Sequence, residues 1–275
     1  MEFTSEVAVA VRKSPAKALK TALSKFSTPI IPAKDTERVI IKPSIYDPSL
    51  PGNTDVRLVK EVARIFESVG DIQIVESGNP LRTASEAFSR CGYDLIASGR
   101  IELVDLSDAA LTSVTFPGYY FKNRKMPALL NQNGFLINVA TIKTESDVIA
   151  IGAGIKNLFG LLPEIDKSVY HPVIDDVLMD LLSAYKPQLT IIDLTQLVIG
   201  DRKAGNVRQV GGVVVGTDPV AVDAFCASLI GFDPLRINHL HAAYDLGLGE
   251  ILPDLIRVTG TAHQIDELER LCKVL

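Results

Sequence analysis

An α/β fold, with a largely parallel sheet covered by helices on both faces, is what the sequence predicts, and three observations predict it. Strand-like and helix-like segments alternate almost throughout the 275 residues, as βα units require. The strand candidates are too continuously apolar to leave one face wet. Apolar residues make up 47% of the chain and charged residues 22%, which is enough to fill an interior on both sides of a sheet. The length exceeds the roughly 100 to 200 residues typical of one domain. The expectation is one compact α/β unit over residues 1–275, with room for a smaller second lobe.

The first strand is expected over 6–11 ("EVAVAV"), and Ser14-Pro15 then opens a helix with a capping hydroxyl and a proline at its first position. Residues 38–43 ("RVIIKP") form the next strand. A loop rich in Pro, Ser, Gly and Asn leads to a helix from Asn53-Thr54-Asp55 to Gly70, with Val59, Val62, Ala63 and Phe66 at helical spacing. Strands follow at 72–76, 101–106 and 134–143, with helical signals near 82–91. An amphipathic helix is expected over 171–185, strands over 189–195 and 211–216, and a helix in "TDPVAVDAFCASLIG". A strand near 255–259 and a terminal helix close the chain.

Composition excludes several function classes. The formal charge is -5 and Lys and Arg are scattered, so no nucleic-acid footprint exists. No apolar run reaches the roughly 18 to 20 residues of a membrane helix; Lys156 and Asp223 interrupt the two most apolar regions. The first residues lack the charged and apolar regions of a signal peptide, which predicts a cytoplasmic protein. Cys91, Cys226 and Cys272 are odd in number and far apart, which argues for reduced thiols and against a zinc site. His239 and His241 lie two apart on an expected helix and point to different faces, so no metal site is expected.

In an open parallel sheet, ligands collect outside the carboxyl ends of the strands. Lys42, Glu76, Lys143 and Asp218 each stand at or just beyond such an end. The lysines would make a shared crevice cationic, and each alone also reads as an ordinary solvated residue. Glu76 reads either as a base or as a lysine's ion-pair partner. The stretch "GAGIKNLFG" (152–160) fits neither a dinucleotide fingerprint nor a phosphate-binding P-loop. Gly152 and Gly154 would still admit an anion close to the backbone, with Lys156 and Asn157 adding a charge and an amide donor; a plain turn with a snorkelling lysine also fits. Asp218 before Pro219 has the look of a helix cap. Asp223, enclosed by apolar residues, must pair with a lysine or titrate at a site. His171 precedes Pro172 at a helix start, where a capping or surface role is natural.

The collinear series "VIIKPS", "NTDVRLVKEVARIF", "VESGNP", "FSRCGYDL", "IELVDL", "FLINVATIKTE", "IKNLFG", His171, "GTDPVAVDAF" and "AAYDLGLGE" resembles the DUF362 family, from about residue 38 to about 250. Members of this α/β family often carry ferredoxin-type iron–sulfur modules. The resemblance points to Lys42, Glu76, Lys143, Lys156, Asn157, Gly160, His171, Asp218 and Asp223. This chain departs from the pattern at Ser44, where Asn is usual, and at Glu145, where His is usual. It also lacks the cysteine-rich module, so no cofactor is evident in the chain itself.

Two functions remain open on this reading. In one, an enzyme of small-molecule metabolism takes an anionic substrate: Lys143 and Lys156 bind its charge, Asn157 orients it, and Glu76 or Asp223 moves a proton. In the other, the crevice holds a ligand without turnover or docks a separate iron–sulfur protein. A homodimer is compatible with both.

Overall fold

The computed structural model of the protein describes residues 3–144, 150–204 and 206–274. Eleven strands are assigned among them: β1 (Ser5–Val11), β2 (Arg38–Pro43), β3 (Asp71–Glu76), β4 (Ile101–Asp105), β5 (Leu111–Thr115), β6 (Asn123–Pro127), β7 (Gly134–Lys143), β8 (Leu189–Val198), β9 (Val207–Gln209), β10 (Gly212–Gly216) and β11 (Ile256–Thr259). The helices are α1 (Pro15–Leu23), α2 (Val56–Phe66), α3 (Ala84–Arg90), α4 (Gly154–Asn157), α5 (Ile174–Ala184), α6 (Pro219–Ile230), α7 (Asn238–Asp245) and α8 (Ala262–Cys272). The large sheet runs β11-β1-β10-β8-β7-β2-β3-β4, with β9 paired to β8, while β5 and β6 form a separate hairpin.

The block β4-β3-β2-β7-β8 is wholly parallel. From β2 the chain winds outward through α2, β3, α3 and β4, whereas β7 lies on the other side of β2 and leads to β8. The direction of winding therefore reverses between β2 and β7, and such a switch point opens a crevice at the strands' carboxyl ends.

Alternation along each strand fills both faces. Val39 and Ile41 pack with α1, α2 and α3, while Ile40 points into the second core, to which α4 to α8 contribute. Local signals start the helices as the sequence suggests. The Ser14 hydroxyl accepts from Lys17 N–H, and the Thr83 side chain and Glu86 form a reciprocal capping box.

One expectation about the sheet is corrected. Strand β10 pairs antiparallel with both β8 and β1. Among its described residues, the segment between β8 and β10 holds β9 and a short 3-10 turn but no crossover helix, so the chain doubles back. The end of β10, with Asp218 just beyond it, therefore faces the opposite edge of the sheet from the ends of β2, β3 and β7. Among the described residues no helix is long and apolar enough to cross a membrane.

Candidate functional site

Lys42 ends β2 and Glu76 ends β3. Their parallel register brings the two side chains together, Nζ to Oε2 at 2.8 Å, with Lys42 1% and Glu76 3% exposed. Lys42 also donates to the Pro43 carbonyl, and Glu76 accepts from the Ser77 N–H at 2.9 Å. Arg82 lies 3.9 Å from Glu76 and donates to the carbonyls of Ile45, Tyr46 and Ser77. Burial pulls the Lys42 ammonium below its ordinary pKa, and the Glu76 charge opposes that pull. The pair knits the loops after β2 and β3 into a floor. Gly160 is shaped to this floor: a Cβ there would stand 2.7 Å from Lys42 Cε.

The 152–160 segment lies over the switch point. Gly152 exchanges backbone hydrogen bonds with Lys143 at the end of β7. Asn157 uses its amide NH2 twice, donating to the Lys42 carbonyl at 3.1 Å and to Asn138 Oδ1 at 2.7 Å, and so ties the segment to β2 and β7 together. The Asn138 side chain in turn donates to the Gly154 carbonyl.

Asp223, on α6, is fully buried and reaches the same segment from beneath. Its two oxygens accept from the N–H groups of Gly154 and Ile155, each at 2.8 Å. A Cβ at Gly154 would stand 2.8 Å from Asp223 Oδ1 and 2.9 Å from Thr190 Cγ2, so only glycine lets α4 sit on this carboxylate. Burial pushes the Asp223 carboxyl up to about 7, against the two N–H groups, which favour its ionised form. Its polar partners are thus backbone N–H groups and not a lysine.

The ammonium groups around these strand ends divide by partner. Lys143 Nζ donates to Ser44 Oγ at 2.9 Å and to Thr141 Oγ1. Lys167 Nζ donates to the Gly78 carbonyl at 2.9 Å. Lys156 is different. Among the described residues its Nζ donates no hydrogen bond and joins no ion pair, and it sits over the Phe159 ring, 4.1 Å from the centroid. Half-buried there, it is lowered to about 8 by burial first, then by the charges of Lys167 and Arg202. Lys167 is also lowered to about 8, again mainly by burial. Arg202 lies over the Tyr46 ring, 4.7 Å from its centroid. His171 lies beside Phe159, ring centroids 5.9 Å apart, and burial and the Lys156 charge hold it below its ordinary value.

Of the residues named from sequence, Lys42, Glu76, Lys143, Gly152, Gly154, Lys156, Asn157 and His171 gather about the ends of β2, β3 and β7 and the 152–160 segment, and Asp223 supports that segment from below. Asp218 is not there. It caps α6, accepting from the N–H groups of Val220 and Ala221, and it also binds Ser5 and Glu250. An open cleft of about 890 Å³ near Asp218 contains none of the crevice lysines. Sequence reasoning missed Lys167 and Arg202, which carry no motif. No local signal marks them, since acids stand beside both in the sequence, Glu164 and Asp166 before Lys167 and Asp201 before Arg202. Glu145 lies outside the described residues. Among the described residues no three His, Cys, Asp or Glu side chains gather as a metal-ligand set.

Comparison with known proteins adds three findings. A thylakoid-associated protein of Synechocystis sp. is 24% identical over 238 residues, spanning 81% of this chain and 72% of the relative. The lactate racemase apoprotein of Thermoanaerobacterium thermosaccharolyticum is similar to 77% of this chain, with a TM-score of 0.43 and 14% identity. This chain spans 54% of that one. The model of DUF362, a domain of unknown function, matches residues 39–228, and the chain belongs to that family.

Proposed function

We propose that this protein binds a small anionic metabolite in the crevice at the carboxyl ends of β2, β3 and β7, with Lys156 as the principal cation. The observation that carries this reading is the ammonium of the half-buried Lys156, which has an aromatic face on one side and no acceptor among the described residues. A desolvated cation without an acceptor is costly, and a bound carboxylate or phosphate would relieve that cost. Lys167, Arg202 and Lys143 extend the positive field. The Lys42–Glu76 pair and Asp223 hold the segment in shape, and their buried, hydrogen-bonded geometry favours scaffolding over direct contact with a ligand. Within an enzymatic version of this reading, proton transfer falls more naturally to the exposed His171 than to Glu76 or Asp223.

Thermal-shift screening of carboxylates and phosphates against the wild type and Lys156→Ala tests the proposal. An anion that raises the wild-type midpoint and leaves the variant's unchanged is expected. Equal shifts in both proteins, or no response to any anion, would count against it.

A further inference from the structure

The nitrogen of Lys156 meets surroundings unlike those of its neighbours. Lys42 is bound to a carboxylate, Lys143 to two hydroxyls and Lys167 to a carbonyl. Lys156 Nζ meets a ring face, with the charges of Lys167 and Arg202 within reach. An amine that is desolvated and placed near other cations loses its proton readily and becomes a nucleophile. The residue as a whole is half-buried.

We propose that Lys156 forms an imine with the carbonyl carbon of a small oxo acid held in the crevice. This deepens the anion-binding reading and rests on it: the carboxylate is the anion, and the adjacent ketone or aldehyde is the electrophile. The neutral amine adds to the carbonyl carbon, forming a C–N bond as the C=O π electrons move to oxygen, which takes up a proton. The carbinolamine then loses that hydroxyl as water while the nitrogen lone pair closes the C=N bond. Neutral amine plus carbonyl compound plus one proton gives protonated imine plus water, so no oxidant or reductant is required.

The surrounding groups suit each part of this step. Lys167 and Arg202 supply positive charge for the carboxylate and also oppose protonation of Lys156. His171 is held below its ordinary pKa and is mainly neutral at pH 7, so it can take the ammonium proton and return it to the leaving hydroxyl. His239, on α7, also feels the Lys156 charge; it is buried, lowered to about 3, and brings no competing cation. The Phe159 ring offers an apolar wall along which a planar imine can lie.

Borohydride trapping tests the idea. The protein is incubated with pyruvate or glyoxylate, reduced, digested and mapped by mass spectrometry, with oxalate, which has no ketone or aldehyde, as the matched anion. The expected result is a reduced adduct on Lys156 in preference to the other lysines, forming faster as the pH is raised towards about 8. Lys156→Arg, which keeps the charge but cannot form an imine, should lose the adduct, and Lys167→Ala should keep it at higher probe concentration. Absence of an adduct at Lys156, or labelling spread evenly over surface lysines, would overturn the proposal. Stabilisation by oxalate and pyruvate without an adduct would sink the imine and leave the anion site standing; no stabilisation by any anion would sink both.

Discussion

Lys42 and Lys156 both adjoin Asn157, the first through a hydrogen bond from the Asn157 side chain to its carbonyl and the second along the chain, yet they are in opposite electrostatic situations. Lys42 is sealed, with a carboxylate at 2.8 Å and a second acceptor in the Pro43 carbonyl. Lys156 is half-buried over a phenylalanine ring and has no acceptor among the described residues. The first lysine has its charge answered by the fold and so can only hold the fold together. The second has a charge that no described residue answers. The contrast teaches that a lysine near a strand end is informative only once its partner is known, because desolvation is tolerated where a counter-charge is built in and is a potential for binding where it is not.

The largest way to break this comparison is to remove the built-in counter-charge. Glu76→Ala strands a buried ammonium and should cost about 3 to 5 kcal/mol in urea denaturation. The double variant Lys42→Met/Glu76→Leu should recover most of that loss. A single variant as stable as the wild type would show that the pair is not the scaffold described here.

Asp223→Ala comes next, since it leaves the N–H groups of Gly154 and Ile155 without their acceptor. A cost of about 3 kcal/mol is expected for two buried donors, together with loss of anion-induced stabilisation as α4 shifts. The pH dependence has a defined sign. Asp223 titrates near 7 when folded, above the ordinary value of 3.8, so between those values the folded state binds more protons than the unfolded one. Its contribution to stability therefore falls as pH rises from about 4 to about 7 and is level above. The wild type minus Asp223→Asn difference, measured in urea from pH 4 to 8, should show that fall.

Gly160→Ala sharpens the account of the floor. The added methyl would meet Lys42 Cε at 2.7 Å, and Lys42 cannot swing aside without leaving Glu76. Overpacking of this kind should cost about 1 to 3 kcal/mol in the same denaturation assay. The smallest stability effect belongs to Lys156→Ala, at about 1 kcal/mol or less, because an exchanged cation–π contact is offset by removal of a desolvated charge. This variant should fold normally and fail only in binding.

The sequence makes much of the architecture legible because strand and helix periodicities are local properties. The strand of residues 38–43 and that of 134–143 match β2 and β7 residue for residue, and Asp218 before Pro219 is the cap it reads as. The direction of β10 was not legible, because β-propensity carries no sense of direction and the turn through β9 has only a weak pattern. The β5–β6 hairpin escaped because its strands, LTSVT and NRKMP, are mostly polar and carry no apolar alternation. At the site, Asp223 was recognisable as a buried carboxylate that must be satisfied, but its partners are backbone N–H groups, which any sequence would supply. Lys167 and Arg202 were hidden because their relation to Lys156 is purely tertiary.

The most direct test is an NMR titration of lysine side chains in the isotope-labelled protein, with the Lys156 signal identified by its loss in Lys156→Arg. The account predicts that this signal titrates near 8, and that saturating oxalate raises its pKa as an anion settles against the ammonium. A Lys156 signal that titrates with the solvent-exposed lysines and does not respond to any carboxylate or phosphate would contradict it.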